Sequence, residues 1–356
     1  MHDNGFTMTN STLSHTRSAA PDWRALPKVL LHEHLDGGLR AQTLLDLCHA
    51  RGLTVPAPDA PSLAAWVQAN ANSGSLERYL QGFALTVAAM ASIEACERVA
   101  FEAAEDARMD GCVLAEFRMA PLLLEPFGLS GEAVVEALVR GLTRSALPCG
   151  LIVCAMRMGS PEETARAARL AARYKDRGVI GFDIAGAERG FPPGPHQAAF
   201  SIARDAGLGL TCHAGEADVG ERVLEAAAVG ATRIGHGIHI MQEPGTPAQA
   251  RRVSAARELG LHFEVCPTSN VHTGAVPSLA GHPIGAMLQA GLSVSCSTDN
   301  RLISGVTLSQ ELQSVHKVNG LTLAQIGHMM RSAAGASFMP VDVRAAAAAA
   351  MVQWDA

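Results

Sequence analysis

"LLHEHLDGGLR", residues 30–40, closes an apolar run with two histidines two residues apart, followed by an aspartate and paired glycines. Side chains alternate across a strand, so His32 and His34 point to the same side and can grip one metal ion together. Taken alone, the pair could equally be two hydrogen-bonded core histidines. The rest of the chain bears on the choice, because the pattern recurs. Seven more β-rich runs end in polar or glycine residues and are followed by segments of helical spacing. They are 112–118, 149–157, 179–186, 208–215, 232–237, 261–267 and 292–300, after the first run at 28–34.

Ala-, Leu- and Glu-rich segments such as "GEAVVEALVRGLTRSA" separate the runs, as helices do in βα units. Eight such units predict an α/β fold, a closed (β/α)8 TIM barrel. An open doubly wound sheet would normally place a glycine-rich phosphate loop after its first strand, and "HEHLDGG" is not one. The stretch 41–111 exceeds a single crossover, so extra helices between strands 1 and 2 are expected over the barrel mouth. No linker or longer repeat interrupts the pattern, which predicts one domain over 23–356. Residues 1–22 are polar and lack the apolar core of a signal peptide, and read as a disordered leader.

Composition narrows the partners. Of 356 residues, 48% are hydrophobic and 17% charged, enough to bury a large core. A formal charge of -6 and only three lysines, Lys28, Lys175 and Lys317, provide no basic field for a nucleic-acid backbone. No apolar run approaches the roughly 20 residues of a membrane span, and the alanine tract at 345–350 reads as a helix. The eight cysteines are scattered, several inside apolar runs, unlike a secreted disulfide scaffold; they read as reduced thiols of a cytoplasmic protein.

His32, His34, His213, His236 and Asp299 all fall at or near the C-terminal ends of their runs, the face where a barrel carries its chemistry. His32, His34, His213 and Asp299 make a set of three imidazoles and one carboxylate. That set suits one Zn²⁺, with water completing an open site. Glu216, three residues past His213, lies where it can reach a substrate above the metal as a proton donor, or serve merely as an exposed acid favoured by a helix N-terminus. His236 could take the proton of the attacking water, stabilise the hydroxide, act as a fifth ligand, or be a packed histidine.

In this order and at these separations, "HEHLDGGLR", "CHAGE", "RIGHG", "CPTSN" and "STDNR" resemble the motif set of the adenosine deaminase family, most closely its bacterial members, within the metal-dependent amidohydrolases. The resemblance spans roughly residues 25–335. It implies zinc-dependent hydrolysis of adenosine, and of 2′-deoxyadenosine, to inosine and ammonia. It also implies zinc on His32, His34, His213 and Asp299, with Glu216 serving purine N1 and His236 orienting or deprotonating the water. His34, Asp36, Gly186 and Asn300 would contact the substrate: Asp36 at the ribose 5′-hydroxyl, Gly186 at N3 and Asn300 at N7. Leu76, Tyr79, Leu80 and Phe83 fall where the family has an apolar lid helix, although their spacing equally suits plain helix core.

Where many members have two adjacent aspartates, this chain has Asp299 then Asn300. Purine N7 only accepts, and a neutral amide donates to it without needing a proton. The same change leaves room for another 6-aminopurine or its nucleoside as substrate. Relatives that hold two metals usually bridge them through a carboxylated lysine on a barrel strand, and none of the three lysines ends a candidate strand, so one metal is expected. A purine-binding protein without turnover is the non-enzymatic alternative; the intact set of Glu216, His236 and four ligands argues against it. The partner expected is a small purine nucleoside, with no nucleic acid or membrane.

Overall fold

A computed structural model describes residues 21–355. All but the last two residues of the leader expected at 1–22 lie outside the described residues. One strand falls on each expected run, β2 ending one residue past its run: β1 (Lys28–His34), β2 (Cys112–Met119), β3 (Cys149–Met156), β4 (Val179–Ala185), β5 (Gly209–Ala214), β6 (Arg233–His236), β7 (His262–Val265) and β8 (Ser293–Cys296). The strands pair in parallel in strict chain order from β1 to β8, as in a (β/α)8 barrel.

Closure of the ring is made by a residue beyond the last strand. Asp299 adopts a left-handed φ of 62°, and its N–H donates to the His32 carbonyl (3.0 Å) while its own carbonyl accepts from His34 N–H (2.7 Å). The backbone that seals β8 against β1 thus belongs to the residues expected to hold the metal. Their relative positions are set by ladder hydrogen bonds rather than by a free loop.

The long 41–111 insertion folds into helices, as expected: Ala41–Ala50, Ala60–Ala71, Leu76–Gln81, Phe83–Ala89 and Ile93–Met109. The last is the crossover to β2 and packs on the helix Gly131–Thr143. The short pair 76–81 and 83–89, broken at Gly82, lies over the mouth and contributes to its wall. The alanine tract falls in the helix Val341–Ala350. Among the described residues no single helix is long and apolar enough to cross a membrane.

The barrel interior carries a charged layer. Glu116, Arg118, Asp183, Arg233 and Glu264 are all buried, at inward positions of strands whose other residues are mostly apolar. Arg118 donates to Asp183 (2.7 Å) and Glu264 (2.6 Å), and Arg233 donates to Glu264 and Glu116. At the N-terminal end, Glu116 accepts from the Ser337 hydroxyl and the Phe338 N–H, and the Phe338 ring covers the Arg233 guanidinium at 3.8 Å. Gly209 leaves room for that ring: a Cβ there would lie 2.1 Å from it. Gly209→Ala is therefore expected to displace Phe338 and cost about 1–3 kcal/mol, seen as a lower urea midpoint with an unchanged m-value.

Candidate active site

The C-terminal mouth holds four imidazoles around one carboxylate. His32, His213, His236 and Asp299 each bring one ligating atom to within 4.8 Å of the others. His34 joins them, its Nε2 3.1 Å from His213 Nε2 and 3.5 Å from Asp299 Oδ1. The alternation expected of β1 holds, with the His32 and His34 rings 5.2 Å apart on one face. Five candidate donors therefore share a space where four were expected to bind.

Two of the rings are anchored on their far side by carboxylates. His32 Nδ1 meets Glu264 at 2.8 Å, and His213 Nδ1 meets Asp183 at 3.0 Å. Burial alone would lift the Glu264 carboxyl, yet Arg118 and Arg233 hold it well below the ordinary range, as Arg118 and the hydrogen bond with His213 do for Asp183 despite its burial. Both carboxylates are therefore pure acceptors, so each imidazole carries its proton on Nδ1 and turns a bare Nε2 into the mouth. His32 Nε2 is buried without a hydrogen-bond partner among the described residues and lies 3.3 Å from Asp299 Oδ1. Bare nitrogens gathered around an ionised carboxylate are a donor set that fits a borderline cation. The other carboxylate oxygen of Asp299 accepts from the Ser269 hydroxyl at 2.5 Å.

Glu216 is not an exposed acid at a helix start. It is 4% exposed, with Oε1 unpartnered and Oε2 3.6 Å from His236 Nε2. Burial, with the negative charges of Asp299 and Glu188, pushes its carboxyl well above the ordinary range, which favours the protonated form. Its loop is pinned by a residue that sequence reasoning missed. Buried Glu188 accepts from the N–H groups of Gly215, Glu216 (3.0 Å), Ala217 (2.7 Å) and Asp218 (3.1 Å). Glu188 lies two residues past Gly186, just beyond the fourth run, where no periodic signal marks it.

These groups floor a cavity of about 410 Å³ that also touches Asp36, Gly186 and Asn300. Its walls are mostly apolar: Leu76, Tyr79, Leu80 and Phe83 from the short helices face Met156, Met158 and Phe127. Asp36 is buried with Oδ1 unpartnered, and burial lifts its carboxyl to about 7. Gly186 has a left-handed φ of 98°, and a Cβ there would meet the Met158 sulfur at 2.5 Å. Tyr79 is more than an apolar wall. Its hydroxyl bonds the Asn300 amide at 3.0 Å and Ser304 at 3.2 Å, tying the short helix to the residue next to Asp299.

A parallel barrel whose C-terminal mouth gathers imidazoles, a carboxylate and a buried acid defines a metal-assisted hydrolase. The family model for adenosine deaminase matches residues 27–354. The adenosine deaminase of Mycobacterium ulcerans is 40% identical over 337 residues, 90% of this chain and 92% of its own. Two solved structures at 24% identity share the fold with TM-scores of 0.83: an adenine deaminase from Arthrobacter aurescens (93% of this chain, 99% of that one) and a zinc-bound amidohydrolase from Burkholderia ambifaria (96% and 95%). The chain belongs to the adenosine deaminase family, whose members are metal-dependent hydrolytic deaminases.

Removing Glu188 would leave four amide donors without their acceptor. Glu188→Ala is expected to cost about 2–3 kcal/mol and to speed amide hydrogen exchange selectively at residues 215–218, read by mass spectrometry.

Proposed function

We propose that this protein hydrolyses adenosine and 2′-deoxyadenosine to inosine and ammonia with one zinc ion held by His32, His34, His213 and Asp299. The observation that carries the reading is the buried Glu216 carboxyl facing His236 across the same cavity as the bare imidazole nitrogens. Bound zinc supplies a water acidified toward a pKa of about 7.

The protein's own groups do the rest. The apolar walls exclude water and sandwich a purine. Attack of the oxygen at C6 breaks the C6–N1 double bond and drives its electron pair onto N1, where protonated Glu216 donates its proton. The O–H proton of the adduct passes to the amine, the C6–N bond breaks as ammonia leaves, and the N1 proton stays in inosine. Glu216 regains a proton from solvent.

Selectivity follows from the rest of the wall. Asp36, with an unpartnered oxygen, suits a 5′-hydroxyl donor and repels a phosphate. Among the described residues no Lys or Arg lines the cavity to offset such a phosphate, which favours a nucleoside over a nucleotide. Gly186, where a side chain would be crowded, allows the purine edge to approach backbone. Asn300 donates to N7 when its amide is turned so that Oδ1 accepts from the Tyr79 hydroxyl, leaving the N–H₂ end for the ring. Lys28 supports the single-metal stoichiometry: it sits at the opposite end of β1, bonded to the Trp23 and Leu26 carbonyls. All eight cysteines are free, in keeping with a cytoplasmic enzyme.

Purified protein should carry about one equivalent of zinc, and a strong chelator should abolish turnover reversibly and lower the melting temperature; two tight equivalents would contradict the single site. Glu216→Gln should retain zinc and lose about 10²-fold or more in kcat. The wild type should lose kcat/KM as pH rises through the raised pKa of Glu216, and the Gln variant should lack that limb. For Asn300, 7-deazaadenosine should cost about 1–3 kcal/mol in kcat/KM, and Asn300→Ala should erase most of that preference; an undiminished preference would place Asn300 away from N7.

A further inference from the structure

His236 differs from the other anchored imidazoles in what holds its far nitrogen. His32 and His213 rest on carboxylates, whereas His236 Nδ1 lies 3.0 Å from the amide nitrogen of Asn270. The direction of that bond can be traced from a group with no freedom. The backbone N–H of Ile284 donates to His282 Nδ1 at 3.2 Å. A peptide N–H only donates, so His282 Nδ1 is bare and its ring carries the proton on Nε2. That Nε2–H faces Asn270 Oδ1 at 3.2 Å, which fixes the amide end for end and turns its N–H₂ toward His236. His236 Nδ1 must then accept. His282, Asn270 and His236 are all buried, and burial keeps the His282 ring neutral, its pKa lowered to about 3.

We infer that Asn270 and His282 are positioning residues that hold His236 as the Nε2–H tautomer, making it a hydrogen-bond donor to the attacking oxygen rather than its base. The inference deepens the deamination reading and rests on it for the identity of that oxygen. With Nδ1 occupied by the amide and Nε2 protonated, His236 has no lone pair to give a cation. Of the five donors at the mouth, it is the one excluded from the ligand set, which leaves His32, His34, His213 and Asp299. The nucleophile must reach C6 already deprotonated, its proton released to solvent, and the Nε2–H of His236 then steadies its charge. The left-handed φ of 61° at His236, in a region costly for a residue with a Cβ, is the backbone geometry that carries the ring there at the end of β6.

The test is the side-chain ¹⁵N spectrum of histidine-labelled full-length protein, zinc-loaded and zinc-free, with the His236 signals assigned by their loss in His236→Gln. The expected result is a protonated Nε2 and a bare Nδ1 at His236 in both forms. Asn270→Asp replaces the donor by a carboxylate of the same shape, and should move the proton to Nδ1 and lower kcat by about 10²-fold with KM and purine binding little changed. A bare Nε2 in the wild type, or an unchanged tautomer and kcat in Asn270→Asp, would overturn the inference. The wild-type spectrum decides even if the variant does not fold. Because it needs no turnover, a protein silent on adenosine would count against the deamination reading alone.

Discussion

The guanidinium of Arg118 is the contact on which the site depends. One planar group, fully buried, donates to Asp183 and Glu264, and those two carboxylates hold the Nδ1 atoms of His213 and His32. Burying such charges is costly, and breaking one partner typically costs about 3–5 kcal/mol because the others are left unpaired. An aliphatic barrel core would be easier to stabilise. What the charged layer provides is orientation: ionised carboxylates accept, so two imidazoles keep their protons inward and their bare nitrogens toward the mouth. Arg233 extends the same logic to the opposite end, where Glu116 and Phe338 close the barrel floor.

Imidazoles of one residue type thus take different roles through their far-side partners. A carboxylate behind the ring yields a lone pair in front, and an amide N–H behind it yields a proton in front. The Glu188 cradle serves Glu216 in a related way, fixing the loop through four amides while adding a negative charge that disfavours ionisation of the acid. Asn300 is shared between the cavity and the Tyr79 hydroxyl, so the helix over the mouth and an amide of the cavity wall are mechanically joined.

The barrel was legible because eight apolar runs of strand length alternated with helical spacing, and a strand falls on each. The insertion over the mouth was legible from length alone. The metal and acid candidates were legible because polar residues at the ends of apolar runs have little reason to be there unless they meet. Tyr79 was read as apolar wall, since one aromatic in a helix carries no sign that its hydroxyl will reach Asn300, 221 residues away. Glu264 and Asp183 sit inside two of the eight runs, and their inward phase was the available signal. Asn270 and His282 lay in or near a motif without a role of their own, because their meaning comes from a chain of contacts closed only in three dimensions. The left-handed backbones of His236 and Asp299 have no sequence signature at all.

The most direct measurement is ammonia release, followed by ultraviolet absorbance, from the zinc-loaded protein given adenosine, 2′-deoxyadenosine, adenine and adenosine 5′-monophosphate in parallel. The account predicts rapid conversion of both nucleosides, with kcat/KM lower by about two orders of magnitude or more for the free base, which forfeits the ribose contacts, and for the nucleotide, whose phosphate faces Asp36 without a cation. Preferred turnover of adenine or of the monophosphate, or none of adenosine, would contradict it.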